Sequence, residues 1–406
     1  MSSAALPRGL AFHLCAVQFL AALSWIAYVV YLPRMAASAG LPVAAVGWIL
    51  FADQLVFAAA DLYLGRAADH ALRTIGRIGP LLAGVTVASG AVLVALPAIA
   101  DAAGASGPGW KTLFFLLLLV WAVTSSALRA PALALVAKRT PRPSLPWLAA
   151  LVAIGNALAA AAAPYLALAA KDHDPVWAFL LSTVTLVAAV AGLAAAERKG
   201  LSLTENRSAP EEEKKPSAPP SREAVAGFFA AAALLAVGFQ IHNNLNAAVL
   251  YRKFAPASEL PWLLPVFWIG VNLFALVGAW LARRHGAFTT LTGAVLVGAA
   301  STAFAAVAPG LGWLAVSQFL AGGAWGAIMA VLFAHALALG KPGSEGQMAG
   351  RLSALLAVAA VVRIGIANMQ LPAAHPFVVV ALWLPATLWL VAALVLWRTK
   401  SNEGPP

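Results

Sequence analysis

Long apolar stretches alternate with short polar turns from one end of the chain to the other. They fall at 9–32, 43–65, 77–99, 110–137, 145–169, 174–196, 223–247, 260–282, 287–308, 311–339, 347–371 and 375–397. Each is near the length of about 20 apolar residues that carries a helix across a hydrocarbon core of about 30 Å, with slack for tilt. The stretches are rich in Ala, Leu and Val and lack the strict alternation of a barrel strand, so the pattern predicts helices. Residues 197–222, ERKGLSLTENRSAPEEEKKPSAPPSR, break the rhythm. They are charged, proline-rich and free of aromatics, and they bury too little apolar surface to fold, which predicts a flexible linker. The expected fold is an all-α membrane protein of twelve transmembrane helices: a six-helix bundle over 1–196, the linker 197–222, and a second bundle over 223–406.

Composition agrees. The chain has 406 residues, of which 62% are hydrophobic and 10% charged, against about 25% charged in soluble domains. Lipid is therefore the solvent for most of the surface. The net charge of +11 does not point to nucleic acid, because the lysines and arginines sit in short clusters between apolar runs. If the termini and the linker share one side, that side holds 19 of the 26 lysines and arginines, and the opposite loops hold 5. The bias predicts a multi-pass protein of a bacterial-type inner (plasma) membrane, with both termini and the linker in the cytoplasm. The first apolar run is long enough to span and reads as a retained helix. Cys15, the single cysteine, excludes a disulfide framework or a cysteine metal motif and reads as a packing residue. No Gly-x-x-x-x-Gly-Lys-Ser/Thr loop is present, so neither a nucleotide nor another cofactor is expected, and the chain does not read as an enzyme.

A short motif suggests that the two halves are related. GRAADHALRTIGR, from Gly65 to Arg77, follows the second span, and GAWLARRHG, from Gly278 to Gly286, follows the eighth. In both, a small residue ends a membrane helix and a basic turn follows, which allows close helix approach and holds the loop inside. Here the chain resembles the major facilitator superfamily, whose signature between helices 2 and 3 is a glycine, three residues, an aspartate and a basic turn. Gly65 and Asp69 match it, with His70 where a basic residue is usual. A glycine-proline stretch of the fifth helix, associated with antiporters, is reduced to Gly155 and Pro164. The resemblance implies two six-helix bundles with substrate bound between them near the midplane. It also implies that helices 1, 4, 7 and 10 line the cavity, that helices 2, 5, 8 and 11 meet between the bundles, and that Asp69 helps to latch the cytoplasmic side. The other reading of Asp69 is a solvated loop carboxylate.

Ionisable groups inside the spans are few and expensive: Asp53 and Asp61 in span 2, Arg129 in span 4, Arg363 in span 11, and the histidines His13, His242 and His335. Asp53 and Arg363 both lie near mid-membrane. They form a pair that holds one state, or a static pair, or else Arg363 faces the cavity and binds a substrate anion. Asp61 and Arg129 share a depth nearer the cytoplasm and are expected to pair, structurally or as part of an inner gate. Removing one partner of such a pair strands the other charge. His335 is a candidate proton carrier because histidine titrates near neutrality, though a lone histidine is commonly a passive hydrogen-bonding group.

Span 7 carries the densest polar cluster. His242, Asn243 and Asn246 are expected to share one helical face by their three- and four-residue spacings, near Gln240 and Asn244. This face meets either substrate or neighbouring helices; Asn272 and Asn368 are candidates to extend it. Gln18, Trp25 and Tyr28 form one stripe in span 1. Span 4 adds Trp121, Thr124 and Ser125, and span 10 adds Gln318 and Trp325. Trp25 and Trp325, both near mid-span, are the tryptophans expected to touch substrate. No metal is expected: the five methionines form no Met-x-x-x-Met pair, and His242 with Asn246 is a poor copper site. The combined expectation is a monomeric secondary transporter of a small solute working by alternating access, its cargo a small organic anion, with protons as a candidate coupling ion. The alternatives are a proton-driven multidrug or metabolite exporter, for which Asp53 would be the membrane acid, and a membrane sensor or assembly factor that moves nothing.

Overall fold

The computed structural model describes residues 8–170, 173–205, 221–340, 343–371 and 375–401. Among the described residues there is no strand, and 12 helices are long and apolar enough to cross a membrane. In chain order they are α1 (Arg8–Ser38), α2 (Val43–Thr74), α3 (Gly79–Ser106), α4 (Pro108–Ala137), α5 (Leu145–Ala169) and α6 (Pro175–Glu205). Then follow α7 (Arg222–Tyr251), α8 (Pro265–His285), α9 (Ala287–Ala306), α10 (Leu311–Leu339), α11 (Glu345–Asn368) and α12 (His375–Ser401). With an even number of crossings, α1 begins and α12 ends on the same side, here called the terminus side.

Helices of the first half pack mainly on one another, α3 against α4 and α6, and α1 against α5 and α6. In the second half α7 packs on α12, α9 on α10 and α12, and α8 on α10. The halves meet where α2 runs along α11 and where α5 runs along α8 and α10. Small residues decide which helix is most enclosed. In α10 the run Ala321–Gly322–Gly323–Ala324 with Gly326 brings its backbone onto α8, where a Cβ on Gly322 would strike the Phe267 carbonyl and one on Gly326 the Val271 carbonyl. Without side chains to hold them apart, the two helices touch along their length, and α10 becomes the most buried span. On the outside the apolar residues stay exposed, among them Leu116, Val123, Leu181, Val184 and Leu394. That pattern suits lipid as the surrounding solvent.

Two helices are discontinuous. In α4 the turn Ala127–Arg129 separates Pro108–Ser126 from Ala130–Ala137. Pro131 is the cause: it has no N–H to offer the Ala127 carbonyl, and its ring crowds that position. In α7 a π-helical turn, His242–Asn246, lies between two α-helical pieces.

The linker boundary needs correction. Residues 197–205 continue α6 as helix, and 206–220 lie outside the described residues. Glu197 is fully buried. Its carboxylate accepts the Ile78 N–H at 3.2 Å and the Gly79 N–H at 2.7 Å, at the start of α3, and faces Arg139 Nη2 at 3.4 Å. A buried anion at a helix N-terminus is favoured by the free N–H groups there. Burial holds the Arg139 guanidinium below its ordinary value, an effect that Glu197 opposes.

Candidate functional site

A cavity of about 620 Å³ lies between the halves, a size suited to a small organic ligand. Residues of α1, α4, α7 and α10 line it, and so do residues of α2, α3, α5, α6, α8 and α11. Aromatic groups give it an apolar body. Phe239 stacks on Trp325 at 4.3 Å with nearly parallel rings, Trp268 stands edge-on to Phe239, and Trp25 and Trp121 face them from the first half.

Among the described residues its ionisable lining is one-sided: Arg129 and Arg363 contribute, and none of those lining it is acidic. Arg363 makes no hydrogen bond or ion pair among the described residues, and its Nε is buried without a partner. Trp25 Nε1 is likewise buried and unpartnered. Both atoms are N–H donors in the cavity wall. Arg129 is occupied: its Nη2 lies 3.1 Å from Asp61 Oδ2 and 3.4 Å from the Ser353 carbonyl, and its guanidinium covers the Phe57 ring at 5.2 Å. Asp61 is fully buried while the Arg129 side chain is 30% exposed, so the cation faces the cavity and the carboxylate sits behind it. The Asp61 oxygens are not aligned for a hydrogen bond, which makes this a charge contact. The break in α4 places Arg129, and it frees the Leu128 carbonyl, which Gln18 Nε2 takes up at 2.7 Å.

On the terminus side of the cavity α2 and α11 close on each other. A Cβ on Gly65 would strike the Gly346 carbonyl, and one on Gly350 the Asp61 carbonyl. Beside this contact Asp69, 4% exposed, accepts the N–H groups of Gly346 and Gln347, each at 2.7 Å. The carboxylate of one half thus caps the first turn of α11 in the other half, where the helix dipole and free N–H groups favour an anion. Arg73 adds a bond from Nη1 to the Gly343 carbonyl at 3.1 Å. Gly278, the counterpart of Gly65, packs instead on Ala327 of α10 within its own half. We expect Gly65→Val to force α2 off α11, an overpacking of about 1–3 kcal/mol. In a Cys15→Ala background, Ser353→Cys at the cavity wall should then react faster with a thiol reagent from the terminus side. Unchanged labelling would show that the seam does not close that side.

Twelve long apolar helices in two packed halves around a shared cavity, joined at such a seam, match a known architecture. The Major Facilitator Superfamily sequence model matches residues 14–362. The chain belongs to the Major Facilitator Superfamily. Among solved structures it is similar to a bacterial homologue of the iron transporter ferroportin in an outward-facing state, with a TM-score of 0.75 and 13% identity, covering 97% of this chain and 99% of that one. It is also similar to the human organic anion transporter MFSD10 (TETRAN), with a TM-score of 0.71 and 14% identity over 97% and 100% of the two chains. The transporter FucP in the outward conformation follows, with a TM-score of 0.62 and 16% identity over 95% and 97%. No curated protein matches in sequence.

Within this superfamily member the expected site residues divide. Gln18, Trp25, Asn243, Trp325, Arg129 and Arg363 line the cavity. Asp53 and Arg363 do not pair. The register of α2 on α11, with Gly47 against Asn368 and Gly350 against Asp61, puts them at one depth as expected. They differ in direction, because at about 100° per residue Asp53 turns away from the seam that Gly47 and Phe51 face. Its Oδ2 instead accepts the Tyr28 hydroxyl at 2.7 Å. Tyr28 is fully buried and packs on Trp121 at 4.3 Å, so it leaves the stripe of Gln18 and Trp25 and does not line the cavity.

The π-turn splits the expected face of α7. Asn243 reaches the cavity with Gln240 and Asn244, whereas His242 Nε2 meets Gln318 Oε1 at 3.1 Å and Asn246 Nδ2 donates to the Ala381 carbonyl at 2.6 Å. A π-turn spaces its bonds five residues apart, so three- and four-residue spacings no longer mark one face. His335 lies against Phe228, ring to ring at 5.0 Å, and is not part of the lining. Asn272 and Asn368 also stay out of it. Gln54, Asn156 and Trp268, which line it, escaped the sequence reading; single polar or aromatic residues on helices expected at the interface gave no signal.

Proposed function

We propose that this chain is a secondary active transporter that moves a small organic anion by alternating access across an inner (plasma) membrane, with its terminus side in the cytoplasm. One observation carries the reading: the charged side chains of the cavity wall are Arg129 and Arg363, and its buried unpartnered side-chain atoms, on Trp25 and Arg363, are N–H donors. Cations and donors in a low-dielectric site stabilise an acceptor-rich, negative ligand. The likeness to MFSD10, described as an organic anion transporter, supports the same class. Iron, which the ferroportin homologue's description names, would as a cation face two guanidinium groups here. An exporter of cationic drugs would want an acid in the cavity, and Asp53 is turned away to Tyr28.

The test is uptake into proteoliposomes holding the purified chain, using labelled aromatic and aliphatic monocarboxylates. Saturable accumulation, faster when anion is preloaded inside and sensitive to an imposed pH gradient, is the expected result. Transport of sugars or organic cations with no anion uptake would overturn the proposal.

A further inference from the structure

We infer that the cargo carries one negative charge on an apolar body, and that the Asp61–Arg129 pair sets this limit. The inference rests on the anion reading above and narrows it. Two arginines face the cavity, but they are not equivalent. Arg129 is balanced by Asp61 at 3.1 Å, sealed behind it. Arg363 has no such partner among the described residues. The site therefore offers one uncompensated positive charge.

The two cations also stand at different depths. Arg129 touches the carbonyl of Ser353 on α11, and Arg363 is ten residues further along the same helix. At 1.5 Å per residue that is about 15 Å along the backbone, so a second charge on a ligand held at Arg363 meets Arg129 as a field across the cavity, and Asp61 cancels that field. A second carboxylate on a ligand held at Arg363 would meet rings and neutral amides there, and no second uncompensated cation. Trp25 and Phe239 stand seventeen residues from the start of their helices and Arg363 eighteen, all counted from the terminus side, so the rings and the cation share a level. Phe239 and Trp325 present a stacked face there. An apolar body fits that face, and an unpaired buried anion is strongly penalised.

The experiment compares three matched probes on the full-length protein at about pH 7.5, where both acids of a dicarboxylate are ionised. The probes are hydrocinnamate (one charge), phenylsuccinate (two) and hydrocinnamyl alcohol (none). Thermal stabilisation is read against probe concentration. Hydrocinnamate should bind at least about tenfold more tightly than either other probe, a difference of about 1.4 kcal/mol. Asp61→Asn leaves Arg129 unbalanced, and the gap between hydrocinnamate and phenylsuccinate should shrink by about tenfold. Asp61→Asn/Arg129→Gln removes both charges and should restore the wild-type preference. Equal binding of the two acids by the wild-type protein would overturn the inference while leaving the anion reading intact. Binding of the alcohol alone would overturn the anion reading itself. A folded Asp61→Asn with an unchanged ratio would overturn the role given to the pair. If that variant does not fold, the wild-type ratio and the double variant decide.

Discussion

Arg363→Gln should reduce anion uptake by about a hundredfold or more and, at the same time, raise the melting temperature of the empty protein. Both effects come from the same fact: Arg363 lines the cavity, and none of the described residues partners it. A fixed cation facing a ligand anion out of water is worth about 2–5 kcal/mol when one side is removed, and about 2.7 kcal/mol is a hundredfold. In the empty protein the same cation is a half-buried charge without compensation, so neutralising it relieves a desolvation penalty. A structural arginine would behave differently, because its loss would lower stability and uptake together. Uptake in proteoliposomes and a thermal melt of the ligand-free protein separate the two. A fall in melting temperature with uptake retained would rule out the binding role.

Arg129→Ala should have the opposite effect on stability, a loss of about 3–5 kcal/mol, because it leaves a buried charge without its partner. Asp61 is fully buried and Arg129 is the cation beside it. Removing the carboxylate as well, in Asp61→Asn/Arg129→Gln, should recover most of the loss, since two neutral groups of similar shape replace the pair. Thermal melts of the single and double variants form the check. A single variant as stable as the parent would mean that water reaches Asp61 and that the pair is not sealed.

Length and apolarity fix how deep a residue lies but not which way it points. All the spans were legible because a bilayer asks for little more than enough apolar residues in a row. The shared depth of Asp53 and Arg363 followed from the same counting, and so did the meeting of Asp61 with Arg129. Direction depends on helical phase, and one irregular turn resets it. The π-turn at His242–Asn246 did this in α7, sending His242 and Asn246 into packing and leaving Asn243 for the cavity. The interruption at Ala127–Arg129 did carry a signal, Pro131 in the interior of an apparently continuous span. Glu197 was read with the linker because it follows an apolar run among other charges. Its burial depends on the start of α3 and on Arg139, contacts made between residues far apart in the chain. The cavity's cationic character was half visible, through Arg363, and half hidden, because the identity of the other lining residues is a property of packing.

In the alternating access proposed above, the make-up of the seam between α2 and α11 would set how fast the two halves part. Gly65, Gly346 and Gly350 meet there peptide on peptide, so joining the surfaces freezes no rotamers along that stretch. Ordering one long flexible side chain costs up to about 1.5–2 kcal/mol, and a contact built from several of them would be slow to reassemble in register. Apart from Arg73, a seam of glycine backbone and two N–H hydrogen bonds to one carboxylate has little to reorder, so the proposed alternating access would break and remake it at small entropic cost.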